Sequence, residues 1–219
     1  DLTSGILKNT KLPLIILGSE ELYSTLTEYP EIKNANWIKY KEKYFLIYLK
    51  LLSFISLISY VIKNPFFLIL TKKFMGIILF RKINKNSIIF STNSTLNFYK
   101  KSCKTVLCIH DIQHEVYPKN FTLIARLSRY WRYRISAELS DHIQVSSHFI
   151  LKDMENYMPK YKSKLFIAPE GFNKEKYNNK ASCTCPTKID EINLPKNYKF
   201  FFYPAQFWKH KNHLNLIKG

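Results

Sequence analysis

The chain has 219 residues, 46% of them hydrophobic, and 34 Lys and Arg against 16 Asp and Glu give a net charge of +18. The hydrophobic share suffices for a sizeable core and excludes wholesale disorder. The charge raises nucleic acid as a partner, but the lysines are scattered rather than gathered in a stripe, and no zinc-finger or RNA-binding signature is present, so nucleic acid is not expected. An anionic membrane surface or a phosphorylated substrate answers the same charge. Of the cysteines at 103, 108, 183 and 185, Cys183 and Cys185 are too close-set to be half of a standard zinc site. No secretory signal opens the chain, which begins at Asp1 without a methionine, so reduced thiols, a cytoplasmic location and a start lost upstream are the expectations.

In chain order, residues 12–18, LPLIILG, predict a strand, and Ser19, Glu20 and Glu21 after it suit a helix opening. Trp37 and Ile38 predict the end of another strand. Residues 44–62, YFLIYLKLLSFISLISYVI, approach the length of a membrane span, with Lys50 as the one charge. On a helix Ser53, Ser56, Ser59 and Lys63 fall within an arc of about 120°, leaving an apolar face opposite, which speaks against a span. Lysines at both ends give no orientation bias. The next run, 66–80, is interrupted by Lys72 and Lys73 too early to span. A buried or interfacial helical pair over 44–80 is expected, and its basic and aromatic surroundings suit a membrane face as well as a core.

Residues 87–91, SIIFS, predict a buried strand, and 93–99 a turn and short helix. The stretch 105–118, TVLCIHDIQHEVYP, opens as an apolar run that reads as a strand buried on both faces of a parallel sheet. It stops abruptly at His110 and Asp111. Ionisable residues at the carboxyl end of such a strand lie where open α/β sheets bind ligands. A histidine there donates or accepts a hydrogen bond near neutral pH, and a neighbouring carboxylate can fix its tautomer. A helix follows over 121–139, with Leu123, Leu127, Tyr130, Trp131, Ile135 and Leu139 at helical spacing and Arg126, Arg129, Arg132 and Arg134 alongside. Residues 141–147 predict a strand ending in Ser146 and Ser147, the second of which suits an N-cap for a helix from His148. Residues 164–168, KLFIA, form one more strand, stopping at Pro169, Glu170 and Gly171. The chain then turns polar and aperiodic, marking a linker. Beyond it, 199–203, KFFFY, predicts a fresh buried strand, 204–213 a loop, and Leu214, Leu216 and Ile217 the opening of a helix.

The order of these pieces resembles the GT4-type (glycosyltransferase group 1) retaining glycosyltransferases of the GT-B fold, most clearly from Ser87 onward. The resemblance rests on His110-Asp111 at a strand end, Pro118-x-x-Phe121, the Arg-rich helix, Asp141 with Ser146-Ser147, Pro169-Glu170-Gly171, and the strand–loop from Tyr203 to His213. It implies an α/β fold: a Rossmann-like parallel sheet over 1–172 as acceptor-side domain, an interdomain linker over 173–197, and over 198–219 the first βα unit of a second Rossmann-like, donor-binding domain.

The activity implied is transfer of a sugar, with retention, from a nucleotide-diphosphate sugar to a glycan or lipid-linked acceptor, peripherally at the inner membrane face. The nucleotide sugar is a co-substrate, and neither a cofactor nor a metal is expected. By resemblance His110 contacts the transferred sugar and Asp111 supports it. Ser146, Ser147, Glu170 and Gly171 line the cleft. Lys211 matches the lysine that neutralises the donor diphosphate, with His210 and Asn212 beside it. Gln206 stands where many relatives carry an arginine. The family's glycine-rich first loop is not visible, and its late glutamate pair would lie beyond Gly219, so the chain alone is expected to be an inactive fragment. His210-x-x-His213 has no carboxylate at useful spacing for a metal. The alternative is a basic, membrane-peripheral binding protein without catalytic activity, docking through 44–80 on anionic lipid.

Overall fold

The computed structural model describes residues 15–20, 23–24, 36–81, 83–84, 87–171, 203–207 and 211–219. They belong to two units, Asp1–Gly171 and Phe172–Gly219. The larger unit holds a four-stranded sheet, β3 (Ile88–Ser91), β4 (Lys104–Ile109), β5 (His142–Val145) and β6 (Leu165–Ile167), hydrogen-bonded in that order with every pair parallel. Helices α3 (Gln113–Val116), α4 (Leu123–Leu139) and α5 (His148–Tyr157) occupy the later connections. This is the Rossmann-like α/β architecture that the apolar runs imply. Leu107, Ile109, Ile143 and Val145 are fully buried and pack with Ile112, Ala137 and Met154. Covered on both faces, β4 reads as a continuous apolar run, whereas β5, His-Ile-Gln-Val, alternates in sequence although Gln144 is buried with its neighbours. Two earlier strands, β1 (Ile15–Ser19) and β2 (Asn36–Tyr40), pair in parallel as a separate small sheet. Trp37 and Ile38 therefore sit within a strand rather than at its end.

The expected short helix in 93–99 is not there: the segment runs as bends and extended chain. Its backbone groups find partners elsewhere, so a helix is not needed to satisfy them. Ser94, at φ 54°, donates its N–H to the Cys108 carbonyl at 3.0 Å, and Tyr99 donates to the Lys72 carbonyl at 3.1 Å. The Leu96 N–H donates to Ser136 Oγ at 2.9 Å.

The helical pair is present as α1 (Glu42–Val61) and α2 (Phe66–Leu79), but its polarity is the reverse of a surface helix. Ser56 and Ser59, in the serine arc, are buried. Arg132 on α4 donates to Ser53 Oγ at 3.2 Å, and the Tyr48 hydroxyl donates to the Asn97 carbonyl at 2.7 Å. The small serines let α1 lie close to the domain, while Ile47, Leu51, Phe54, Ile58 and Val61 face outward. On α2 the same inversion buries Lys72 completely. Its Nζ donates to the Leu96 carbonyl and to Ser136 Oγ at 3.1 Å. Ser136 in turn donates to the Arg132 carbonyl, so one hydroxyl gives one proton and accepts two, its full ordinary capacity. Burial, reinforced by Arg132, pushes Lys72 well below the usual lysine range. One turn on, Gly76 rests against chain rather than side chain, since a Cβ there would stand 2.0 Å from the Tyr99 carbonyl oxygen.

In the smaller unit, α6 (His213–Lys218) covers the expected helix. The predicted linker and residues 199–202 of the predicted strand lie outside the described residues; Tyr203 is in irregular chain.

Candidate functional site

Strands of a parallel sheet point the same way, so the residues after each one gather along a single edge. At the carboxyl edge these are Thr92 to Ser94 after β3, His110 after β4, Ser146 and Ser147 after β5, and Glu170 after β6. The turn after β4 is anchored from below. The His110 N–H donates to Ser94 Oγ at 3.1 Å, and Ser94 also bonds the Tyr133 phenol, which burial raises above its usual range. After β6, the Ala168 N–H donates to the Val145 carbonyl at 3.0 Å and Gln144 Nε2 donates to the Ala168 carbonyl at 2.8 Å. These bonds fix the chain that leads through Pro169 to Glu170.

Anchored on both sides, His110 and Glu170 meet although sixty residues separate them. His110 Nδ1 lies 2.5 Å from Glu170 Oε1, and Nε2 lies 2.6 Å from the Thr92 carbonyl oxygen. A carbonyl can only accept, so Nε2 carries a hydrogen. Nδ1 then faces the Glu170 carboxyl as its second hydrogen-bond partner. The two side chains are 44% and 47% exposed, open enough for a ligand to reach. A ligand hydroxyl arriving at the ring would take the place of Thr92 or of Glu170, and each substitution is an exchange of one oxygen partner for another.

Asp111, given the supporting role by resemblance, is placed otherwise. Its Oδ1 accepts the Gln113 N–H at 3.2 Å in an Asx turn that opens α3, and Glu170 is the carboxyl that holds the ring. Ser147 Oγ accepts the Ile150 N–H at 3.3 Å and N-caps α5. Ser146 is half-buried on the edge and Gly171 exposed. In the smaller unit Gln206 and Lys211 are exposed, Asn212 is left-handed at φ 56°, and His210 lies outside the described residues. His213 Nε2 donates to the Ala205 carbonyl at 3.2 Å, and the Tyr203 hydroxyl donates to the Lys211 carbonyl at 3.1 Å, so the loop is stitched to its own helix.

Cys108 was legible only as a strand residue. Its thiol lies 3.9 Å from His110 Nδ1, and with Glu170 the three offer ligand atoms within 4.8 Å of one another. A thiol, an imidazole and a carboxylate form a donor set suited to a borderline-soft divalent ion. Burial, with Glu170 close by, raises the thiol above its usual range, so an ion would have to displace the thiol proton. The arithmetic of His210 and His213 could not show this set, because it forms only when β4 and β6 are brought to one edge. At the opposite edge of the sheet an open recess of about 830 Å³ is lined by Lys104, Asp141 and Lys164 among others. These residues serve the fold: Asp141 accepts from Lys104 at 3.0 Å and the Thr105 N–H at 2.8 Å, and Lys164 donates to three carbonyls at the end of α4. Burial alone would raise the Asp141 carboxyl, but the bonds from Lys104 and Thr105 outweigh it and hold it below the usual range.

No family model, curated protein or solved structure matches this chain.

Proposed function

We propose that the chain is the acceptor-side part of a retaining glycosyltransferase of the GT-B type, moving a sugar from a nucleotide-diphosphate sugar to a glycan or lipid-linked acceptor at the inner membrane face. The observation that carries this reading is the His110–Glu170 pair at the carboxyl edge of a parallel sheet, where open α/β folds bind ligands. In this reading His110 contacts the sugar in transit and Glu170, rather than Asp111, fixes the ring. Lys211 supplies the cation against which the leaving diphosphate develops its charge, with Gln206 as a neutral donor beside it. The nucleotide sugar is consumed as co-substrate, and the reaction needs no resident cofactor.

The test is turnover in a protein that joins this chain to a complete donor half. His110→Ala lowers kcat at least hundredfold while the fold, read by circular dichroism, is retained. A wild-type rate in that variant overturns the assignment. A second reading, a membrane-peripheral binding protein without catalysis, draws its support from the outward apolar faces of α1 and α2.

A further inference from the structure

More than half of the large hydrophobic side chains exposed among the described residues fall between residues 44 and 78. On α1 the outward row, Ile47, Leu51, Phe54, Ile58 and Val61, repeats at steps of three and four, the signature of one continuous helical face. On α2, Phe67, Leu70, Phe74, Ile77 and Ile78 repeat in the same way, each more than half exposed. Ser56, Ser59 and Lys72 are buried against the protein, where Lys72 is pinned between Leu96 and Ser136 and Ser53 is held by Arg132. Water as the outer solvent selects the opposite arrangement. A contiguous apolar surface of this kind marks an interaction site.

Charge decides what covers it. Between residues 41 and 81 the exposed ionic groups are Lys41, Lys43, Lys50, Lys63, Lys73 and Arg81 against the single carboxylate Glu42. By helical spacing Lys50 and Lys73 fall beside the outward rows, and Lys63 sits in the turn between the helices. A second copy laid face to face on this surface brings the same cations against themselves, in a chain already carrying +18. An anionic lipid surface satisfies both features at once, taking the apolar rows below the headgroups and the cations among them. α1 is twenty residues long and apolar enough by length and composition to cross a bilayer. Its inner side, however, is already bonded to α4 and to Asn97, so the helix lies on the domain and offers one face only.

We infer that the α1–α2 hairpin is a monotopic membrane anchor, inserting the outward rows of both helices into an anionic lipid leaflet. This holds with or without sugar transfer, so loss of one claim leaves the other standing. The experiment is flotation of the full 219-residue chain with vesicles of phosphatidylcholine alone and of phosphatidylcholine mixed with phosphatidylglycerol. The probes are the triple variant Phe54→Ser, Phe74→Ser, Ile77→Ser, whose side chains are 60%, 61% and 63% exposed and so leave the core untouched, and Phe207→Ser, 91% exposed in the other unit. The wild type floats with the anionic vesicles and less with the neutral ones, and added salt reduces the difference. The triple variant, losing roughly fivefold per side chain, partitions about a hundredfold more weakly. Phe207→Ser floats like the wild type. Wild-type protein left in the aqueous fraction, equal flotation by the triple variant, or equal binding to both vesicles overturns the inference. So does a dimer in sedimentation that the triple substitution dissociates while vesicles capture nothing.

Discussion

His114 gives a direct reading of how tightly the wall behind the candidate site is packed. The ring is 2% exposed and lies 4.4 Å from the Tyr133 ring, which itself bonds Ser94 beneath His110. Burial pushes the imidazole down from 6.5 to about 4; Glu115 and Asp111 pull it up, and Arg129 and Arg134 press it down further. In the fold the ring is neutral, whereas in the unfolded chain it takes a proton as pH falls through 6.5. Between those two values the unfolded state binds more protons, so stability falls as the pH is lowered. At pH 5 the loss amounts to about 2 kcal/mol relative to pH 7.5. Urea unfolding followed by tryptophan fluorescence at the two pH values measures it. His114→Phe keeps a ring beside Tyr133 and removes the titration. The variant therefore loses about 2 kcal/mol less than the wild type over this interval, and other groups, present in both proteins, cancel in the difference. Equal losses in the two proteins would show that His114 is solvated and that the packing described behind the site is wrong.

Two further substitutions examine the seat of the helical hairpin. Gly76→Ala forces a methyl to within 2.0 Å of the Tyr99 carbonyl oxygen; a clash of about 3 kcal/mol against a helix gain of about 1 leaves a net loss of about 2 kcal/mol, read as a Tm lower by roughly 5 °C. Lys72 loses its proton more readily in the fold than unfolded, because burial and Arg132 disfavour its charge. The wild type therefore gains stability from pH 7 to pH 9.5, below the unfolded lysine value, and Lys72→Met shows a flatter profile in the same denaturation assay.

Much of the sheet was legible in the chain. The runs at 87–91, 105–109 and 164–168 carry too little polarity to alternate, and all three are parallel strands. Only the middle one has a neighbour on each side, and 87–91, expected to be buried, lies at one end of the sheet with Ile88 exposed. The strand end at His110 was legible for the same reason, since the apolar run stops there. The helix in 93–99 was misread because local propensity cannot register that Lys72, Cys108 and Ser136, each distant in sequence, satisfy its backbone. The partner of His110 was assigned to the adjacent Asp111, yet the Asx turn claims that carboxylate, and Glu170 arrives from β6 at a separation no motif spacing displays. The serine arc on α1 was seen correctly as an arc. Periodicity defines two faces but not which one meets the protein, and here the polar one does.

The account stands or falls on sugar transfer at the His110–Glu170 edge, and proton NMR of the reaction tests it most directly. A protein carrying this chain with a whole donor half is mixed with nucleotide-diphosphate sugars and a lipid-linked saccharide. The anomeric signals of donor and product are then followed together. The account predicts that a donor is consumed, that its anomeric configuration is kept in the product, and that His110→Ala abolishes both signals' change. An inverted product, or full transfer by the His110→Ala variant, contradicts it.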